Sequence, residues 1–177
     1  MIDELDKLYH KGVSKHHIQC LRKFARLEGQ IITDSRRLRG EKGGIKIPSD
    51  ETVSKPYYLH SLVRGVYKPR KPDPFALSIQ TNPNSKWGKE VEELELGDWV
   101  IKYDFEDEKK YHADMKSLEL CKEFGVPIGI IYKTKKAHNL ILGLGMINKI
   151  NNTLFEVVPY QIKEKGFVQV MIPGAIA

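Results

Sequence analysis

The chain has 177 residues, of which 41% are hydrophobic and 9% aromatic, and its formal net charge is +6. This length and composition suit one folded domain, or one domain with a small appendage, and argue against disorder of the whole chain. Its longest apolar runs fall far below the roughly 18 residues of a membrane span, and its first residues lack the apolar core of a signal peptide. Cys20 and Cys121 lack the spacing of a zinc site. We therefore expect a cytoplasmic protein with reduced core thiols, no metal, no cofactor and no membrane partner.

The positive charge is concentrated in the first half of the chain. Residues 1–80 hold sixteen Lys and Arg against nine Asp and Glu, whereas residues 81–177 hold thirteen against fourteen. Such asymmetry is typical of a surface that binds a polyanion, most simply nucleic acid, although a charged surface also serves solubility.

Two helices are expected at the start of the chain. Ile2, Leu5 and Leu8 predict a short amphipathic helix, which Gly12 ends. Ser14 is the expected N-cap of the second helix, whose apolar stripe consists of Ile18, Leu21, Phe24 and Ala25. A short strand is expected after this helical pair, over Gln30–Thr33.

Basic residues cluster in two turns of the first half. The loop Ser35–Gly44 is rich in Arg and Gly, and a second cluster surrounds the proline-rich turn after Tyr67. Arginine offers forked donors to phosphate, and glycine lets the backbone approach it closely. A solvated turn explains the loop Ser35–Gly44 equally well. The candidate DNA-backbone residues are Arg36, Arg37, Arg39, Lys42, Arg64, Lys68, Arg70 and Lys71.

The rest of the chain is dominated by short strands. An edge strand at Ile45–Pro48 comes first, and a polar loop is expected over Asn82–Leu96. Asn151 and Asn152 predict a hairpin turn, and Gly143 and Gly145 predict a bend within a strand. One further strand is expected to end at Tyr67. The remaining expected strands cover Phe75–Thr81, Trp99–Asp104, Val126–Tyr132, Leu140–Ile147, Leu154–Tyr160 and Gly166–Ile172.

The segment Gly97–Thr134 supplies the centre of this arrangement. Trp99, Ile101 and Tyr103 recur with a period of two, which places them on one face of a strand, with Asp104 on the other. A helix follows, which Gly125 ends, and its apolar positions are Met115, Leu118, Cys121 and Phe124.

These elements predict an α+β fold. Many short strands around one central helix favour a small, curled, mostly antiparallel β-barrel, preceded by the N-terminal helical pair. We expect a helical segment with the basic loop at 1–50 and the β-barrel domain at 51–177.

Catalytic motifs are scarce in the sequence. It contains no nucleophile elbow, HExxH or P-loop. One nuclease-like pattern is present, in which Asp104 is followed by Asp114 and Lys116, a set that could hold Mg²⁺ and polarise water. Because Asp114 opens a helix instead of lying on a strand beside Asp104, we keep this pattern as an alternative and expect no catalytic residues.

Five segments resemble a known family when taken in order. They are RGVYKP (64–69), FALSIQT (75–81), DWVIKYDFED (98–107), LCKEFGVPIGIIYK (120–133) and LGLGMI (142–147). Together they look like the SRA-like module of the PUA superfamily found in McrA-type, modification-dependent HNH endonucleases. The resemblance covers roughly residues 64 to 160. The chain departs from the family pattern at Ile101, where an aromatic residue is usual.

The resemblance implies a DNA-binding module that flips a modified base, in particular a modified cytosine, out of double-stranded DNA and into an aromatic pocket. Aromatic walls replace the stacking that a flipped base loses, and polar groups read its edge. The candidate pocket residues are Tyr67, Ser78, Trp99, Tyr103 and Asp104. Trp99 and Tyr103 also suit ordinary core positions. The module would target a fused or associated nuclease domain, and the other alternative is an RNA-binding PUA-like module.

Overall fold

The computed structural model describes residues 4–33, 58–60, 65–69, 74–81, 90–93, 99–135, 138–163 and 166–169. A 3₁₀ helix (Asp6–Lys11) comes first, and the two α-helices are α1 (Lys15–Arg26) and α2 (His112–Phe124). The strands are β1 (Ile31–Ile32), β2 (Val66–Tyr67), β3 (Ser78–Thr81), β4 (Glu90–Glu93), β5 (Trp99–Asp104), β6 (Ile128–Lys135), β7 (His138–Asn151), β8 (Leu154–Lys163) and β9 (Gly166–Gln169).

All of these strands belong to one mixed sheet. Its order is β2-β3-β6-β7-β8-β5-β4, with β1 added to β7 and β9 added to β8. The pair β3–β6 is parallel and the other pairs are antiparallel. The α+β class expected from the sequence is therefore confirmed. Within the described residues the strand path is open, with β2 and β4 at its ends, and does not close into the expected barrel.

The N-terminal helices pack against the sheet. Ser14 caps α1 as expected, because its side-chain oxygen accepts a hydrogen bond of 3.2 Å from the His17 backbone N–H. The fully buried Phe24 lies directly over Gly129 of β6, where any Cβ would overlap its ring. Only glycine allows the helix to approach the strand this closely. Residues of α1 consequently share one hydrophobic cluster with the sheet.

Strand pairing assigns the side chains of the sheet to two faces. Trp99, Ile101 and Tyr103 share a face of β5, and Val157 and Phe155 of β8 lie on the same face as the partners of Ile101 and Tyr103. We call this the aromatic face. The opposite face carries Ser78 and Gly129, which are paired with each other, and it contacts Phe24 of α1. We call it the α1 face.

The longest strand, β7, contains the expected bend and leads into the expected hairpin. Its register against β6 shifts after Ile130, opposite Gly143, which has a φ of 100° that favours glycine. The turn between β7 and β8 uses Asn152, whose φ of 53° lies in the left-handed region that asparagine tolerates. Gly145 instead permits close packing, because a Cβ there would lie 2.9 Å from Ile130 and Val157.

Three local expectations need correction. The first helix is a 3₁₀ helix, although Gly12 does end it. The acidic stretch expected to be a loop contains β4, because pairing with β5 satisfies its backbone groups despite the low strand propensity of glutamate. Phe124 is exposed instead of buried, and its ring packs edge-on against Phe75 at a centroid distance of 5.8 Å.

Several expected segments lie outside the described residues. They include the basic loop Ser35–Gly44 and the edge strand Ile45–Pro48. Among the helices that are described, none is both long enough and apolar enough to cross a membrane.

Candidate functional site

The five candidate pocket residues are divided between the two faces of the sheet. Trp99 and Tyr103 lie on the aromatic face, where they are only 5% and 2% exposed. Tyr67 pairs with Ser78, so both belong to the α1 face. Asp104 follows Tyr103 on β5 and also points away from the aromatic face. The structure therefore places Trp99 and Tyr103 on one face of the sheet and pairs Tyr67 with Ser78 on the other.

The hydroxyl end of Tyr103 is where the aromatic face meets the RGVYKP segment. Gly65 lies so close that a Cβ at this position would overlap the Tyr103 hydroxyl. The Tyr103 ring also packs against Phe105, at a centroid distance of 4.9 Å, and Phe105 packs against Tyr111 at 5.9 Å. Tyr111 lies just before α2 and is half-buried. An aromatic group thus connects β5 to the start of α2.

A carboxylate lies near this aromatic group. The pKa of Tyr103 is raised chiefly by burial, and further by the negative charge of Asp114 and by Tyr111. Asp114 is half-buried in the first turn of α2. The surroundings of Tyr103 thus combine aromatic rings, the closely approaching backbone of Gly65 and the negative charge of Asp114.

Ser78 belongs to a buried hydrogen-bonded group beside Tyr67. Its hydroxyl donates to the Leu59 carbonyl over 2.6 Å and lies 2.7 Å from His60 Nδ1. Because the one hydroxyl hydrogen points to Leu59, His60 Nδ1 must donate to the Ser78 oxygen. The His60 ring packs edge-on against Tyr67 at 6.1 Å. The Ser78 hydroxyl thus has partners on both sides within the buried interior.

Asp104 stabilises the turn between β5 and α2. Its Oδ1 accepts hydrogen bonds from the Glu106 backbone N–H (2.9 Å) and from the Thr153 hydroxyl (2.7 Å). Glu106 has a positive φ of 62°, which a non-glycine residue adopts only with such local support. A side chain with these partners has a structural role, and sequence alone does not predict it.

One of the candidate DNA-backbone residues falls in the part of the chain that the structure describes. This residue is Lys68, which is exposed directly after β2. The others lie outside the described residues: Arg36, Arg37, Arg39, Lys42, Arg64, Arg70 and Lys71. The phosphate-binding role expected for this set stays a prediction.

The residues of the nuclease-like pattern do not form a metal-binding group in the described structure. Asp104 stabilises its turn, Asp114 lies on α2, and the exposed Lys116 approaches Glu119 at 3.9 Å. Within the described ranges, no three His, Cys, Asp or Glu side chains are grouped to hold a metal ion. Cys20 and Cys121 are buried free thiols, as expected. Burial raises the pKa of the Cys121 thiol to about 12, which makes it unreactive.

One surface feature was not anticipated from the sequence. A cleft of about 320 Å³ opens between the 3₁₀ helix and α1, and it is lined by Asp6, Tyr9, Lys15, Ile18, Gln19 and Arg22. The basic character of this surface can be predicted from the sequence, because the α1 sequence KHHIQCLRKFAR contains four Lys and Arg and no acidic residue. The exposure of Tyr9, in contrast, depends on how the two helices pack.

Comparison with known proteins adds no family to these observations. A scan of protein-family models and searches of curated proteins and of solved structures returned no match to this chain.

Proposed function

We propose that this chain is a DNA-binding specificity module that recognises a modified base, in particular a modified cytosine, by flipping it into an aromatic pocket. It would act in the cytoplasm as the targeting part of a modification-dependent restriction system. A nuclease in the same chain or an associated one would cut the DNA. The proposal rests on the SRA-like motifs and on the basic first half of the chain.

The contact between Gly65 and Tyr103 is the observation that supports this proposal most. Gly65 is held at the β2 edge, where its carbonyl accepts a 2.7 Å hydrogen bond from the Gln80 N–H. Five strand-to-strand steps separate β2 from β5 in the sheet. In a flat sheet these steps would span roughly 24 Å, at about 4.8 Å each, which is beyond the reach of a tyrosine side chain. The contact therefore favours a strongly curled, barrel-like sheet.

Curling of this kind would bring the exposed Lys68, which directly follows β2, toward the aromatic face. A base-flipping protein needs such an arrangement, because phosphate contacts must hold the strand while aromatic surface receives the base. We infer that the pocket opens between Gly65 and the start of α2. Tyr111 would supply its accessible aromatic wall, with Tyr103 and Trp99 supporting it from the core.

Asp114 replaces Asp104 as the proposed reader of the base edge. A carboxylate can accept a hydrogen bond from the exocyclic amino group of cytosine. The Oδ1 of Asp104 accepts two hydrogen bonds within its turn, and the negative charge of Asp114 in the first turn of α2 helps to raise the pKa of Tyr103. Asp114→Asn should consequently weaken recognition more than the matched change Glu119→Gln, at another half-buried position of the same helix.

Binding to matched duplexes tests the proposal. The duplexes would differ only at one cytosine, which is unmodified, 5-methylated, 5-hydroxymethylated or glucosylated. Every duplex would carry 2-aminopurine next to this cytosine. We expect tighter binding to one modified duplex, with a rise in 2-aminopurine fluorescence as the base leaves the stack. Equal affinity for every duplex would leave a generic polyanion binder. Structured RNA that competes better than any duplex would instead favour the RNA-binding alternative.

A magnesium-dependent nuclease is the alternative of a different class, with Asp104, Asp114 and Lys116 as its candidate residues. The helical position of Asp114 and the hydrogen bonds of Asp104 argue against it. We expect supercoiled plasmid to stay intact when incubated with this chain and Mg²⁺ or Mn²⁺. Cleavage that Asp114→Ala abolishes would contradict the reader-only proposal.

A further inference from the structure

The charged residues of α1 are all basic, and one of them, Arg22, is paired with Asp6 of the 3₁₀ helix. These basic residues are Lys15, Arg22, Lys23 and Arg26, and the helix has no acidic residue. Lys23 and Arg26 lie in the last turn, where cations also stabilise the helix dipole. Lys15 lies in the first turn, where the dipole disfavours a cation. Helix stability therefore does not account for the exposed cation at Lys15.

The cleft beside this charged side exposes an aromatic ring. Tyr9 is 56% exposed at the edge of the cleft, and its ring packs edge-on against His10 at 6.0 Å. Ile18, which is buried, adds apolar surface to the lining, and Lys15 and Gln19 add polar groups. An ion pair between Asp6 and Arg22 connects the 3₁₀ helix to α1 across the cleft. The cleft has a volume of about 320 Å³, which lies at the lower end of the range of small-ligand sites.

We propose that the surface formed by Tyr9, Lys15, Lys23 and Arg26 is a second nucleic-acid site, which binds single-stranded DNA. An exposed aromatic ring beside a row of cations is the arrangement that binds unpaired strands, because bases stack on the ring while the cations follow the phosphates. The Tyr9 ring would stack with one unpaired base at the cleft, and Lys15, Lys23 and Arg26 would contact the adjoining backbone. Stacking of this kind needs a free base face, which an intact duplex offers only at its ends.

Binding of a fluorescent oligothymidylate, measured by anisotropy, tests the role of Tyr9. This probe carries no modified cytosine, so its binding does not depend on the proposed reader function. We expect Tyr9→Ala to weaken binding about five- to a hundredfold, the range for loss of one base–aromatic stack. Tyr9→Phe keeps the ring and should bind nearly as the wild type does. Because Tyr9 is largely exposed, both variants should fold, which circular dichroism would check.

The salt dependence of the same binding tests the cations. Removal of one cation that contacts a phosphate should reduce the slope of log affinity against log salt by about 0.7 for a single strand. We expect this reduction for Lys15→Gln and Arg26→Gln. The matched control is Lys122→Gln, which removes an exposed cation from the last turn of α2 and should leave the slope unchanged.

Three results would overturn the proposal. They are failure of the wild type to bind oligothymidylate, equal binding by Tyr9→Ala and Tyr9→Phe, and equal slopes for Arg26→Gln and Lys122→Gln. A duplex that competes as well as the single strand would overturn the assignment to unpaired DNA. Failure of the reader function has a different signature, which is loss of discrimination among modified duplexes with oligothymidylate binding intact.

Discussion

Tyr103→Ala is expected to lower the free energy of unfolding by about 3–5 kcal/mol, the usual cost of removing a large buried aromatic side chain. Tyr103 is 2% exposed and packs against Phe105, and its partner across the strands is the fully buried Phe155. Few other side chains can fill the space left behind, because the surrounding core is rigid and closely packed. Thermal or denaturant unfolding monitored by circular dichroism measures the loss.

Tyr103→Phe is the matched control, since it removes the hydroxyl and keeps the ring. It should retain most of the stability. The same proteins, together with Trp99→Ala, should be tested with the modified duplexes. If Tyr103→Ala and Trp99→Ala unfold early while their folded fraction binds and flips normally, both rings serve only the core and the base contacts Tyr111 without their help. A Tyr103→Ala protein of unchanged stability that loses its base preference would contradict the core assignment.

Gly65→Ala should destabilise the protein by about 1–3 kcal/mol, the typical cost of forcing an extra methyl group into a packed site. The added Cβ would overlap the Tyr103 hydroxyl, and the next nearest atom is the ring carbon Cζ at 3.2 Å. Removing the hydroxyl should therefore relieve most of the clash. In a Tyr103→Phe background, Gly65→Ala should cost much less than it does alone. Unfolding free energies of the four proteins of this double-mutant cycle measure the coupling.

The control for this cycle uses a glycine with a different neighbour. Gly129→Ala clashes with Phe24, so Tyr103→Phe should not rescue it. Additive effects of Gly65→Ala and Tyr103→Phe would show that the two residues are not in contact. The main evidence for a strongly curled sheet, and for a pocket beside Gly65, would then be lost.

Local features of the fold follow from the sequence where a single residue type has a specific backbone role. Ser14 caps α1, Gly125 ends α2 with a φ of 66°, and Asn152 forms the turn of the β7–β8 hairpin. In each case the reason is short-range, because it involves the residue and the next turn of chain. The period-two pattern of β5 likewise assigns Trp99, Ile101 and Tyr103 to one face.

The composition of the candidate site was harder to predict because it depends on long-range register. The pattern of β3 shows that Ser78 alternates with Ile79, but not which of them shares a face with Tyr103. That information comes from the pairing of β2 with β3 and from the parallel pairing of β3 with β6. Asp104 illustrates the same limit, since Thr153 approaches its carboxylate from a distant turn.

The contact between Phe24 and Gly129 has a consequence for the order in which the protein is made. These residues are 105 positions apart in the chain, and a ribosome adds roughly 5–20 residues per second. Helix α1 would therefore leave the ribosome roughly 5–20 s before the strand that receives it. During that interval its apolar side chains must stay in water or be covered by a chaperone. A fragment that begins at residue 51 would have the opposite defect, because the surface over Gly129 would be exposed permanently. Such a fragment should be poorly soluble unless the N-terminal helices are supplied as a separate peptide.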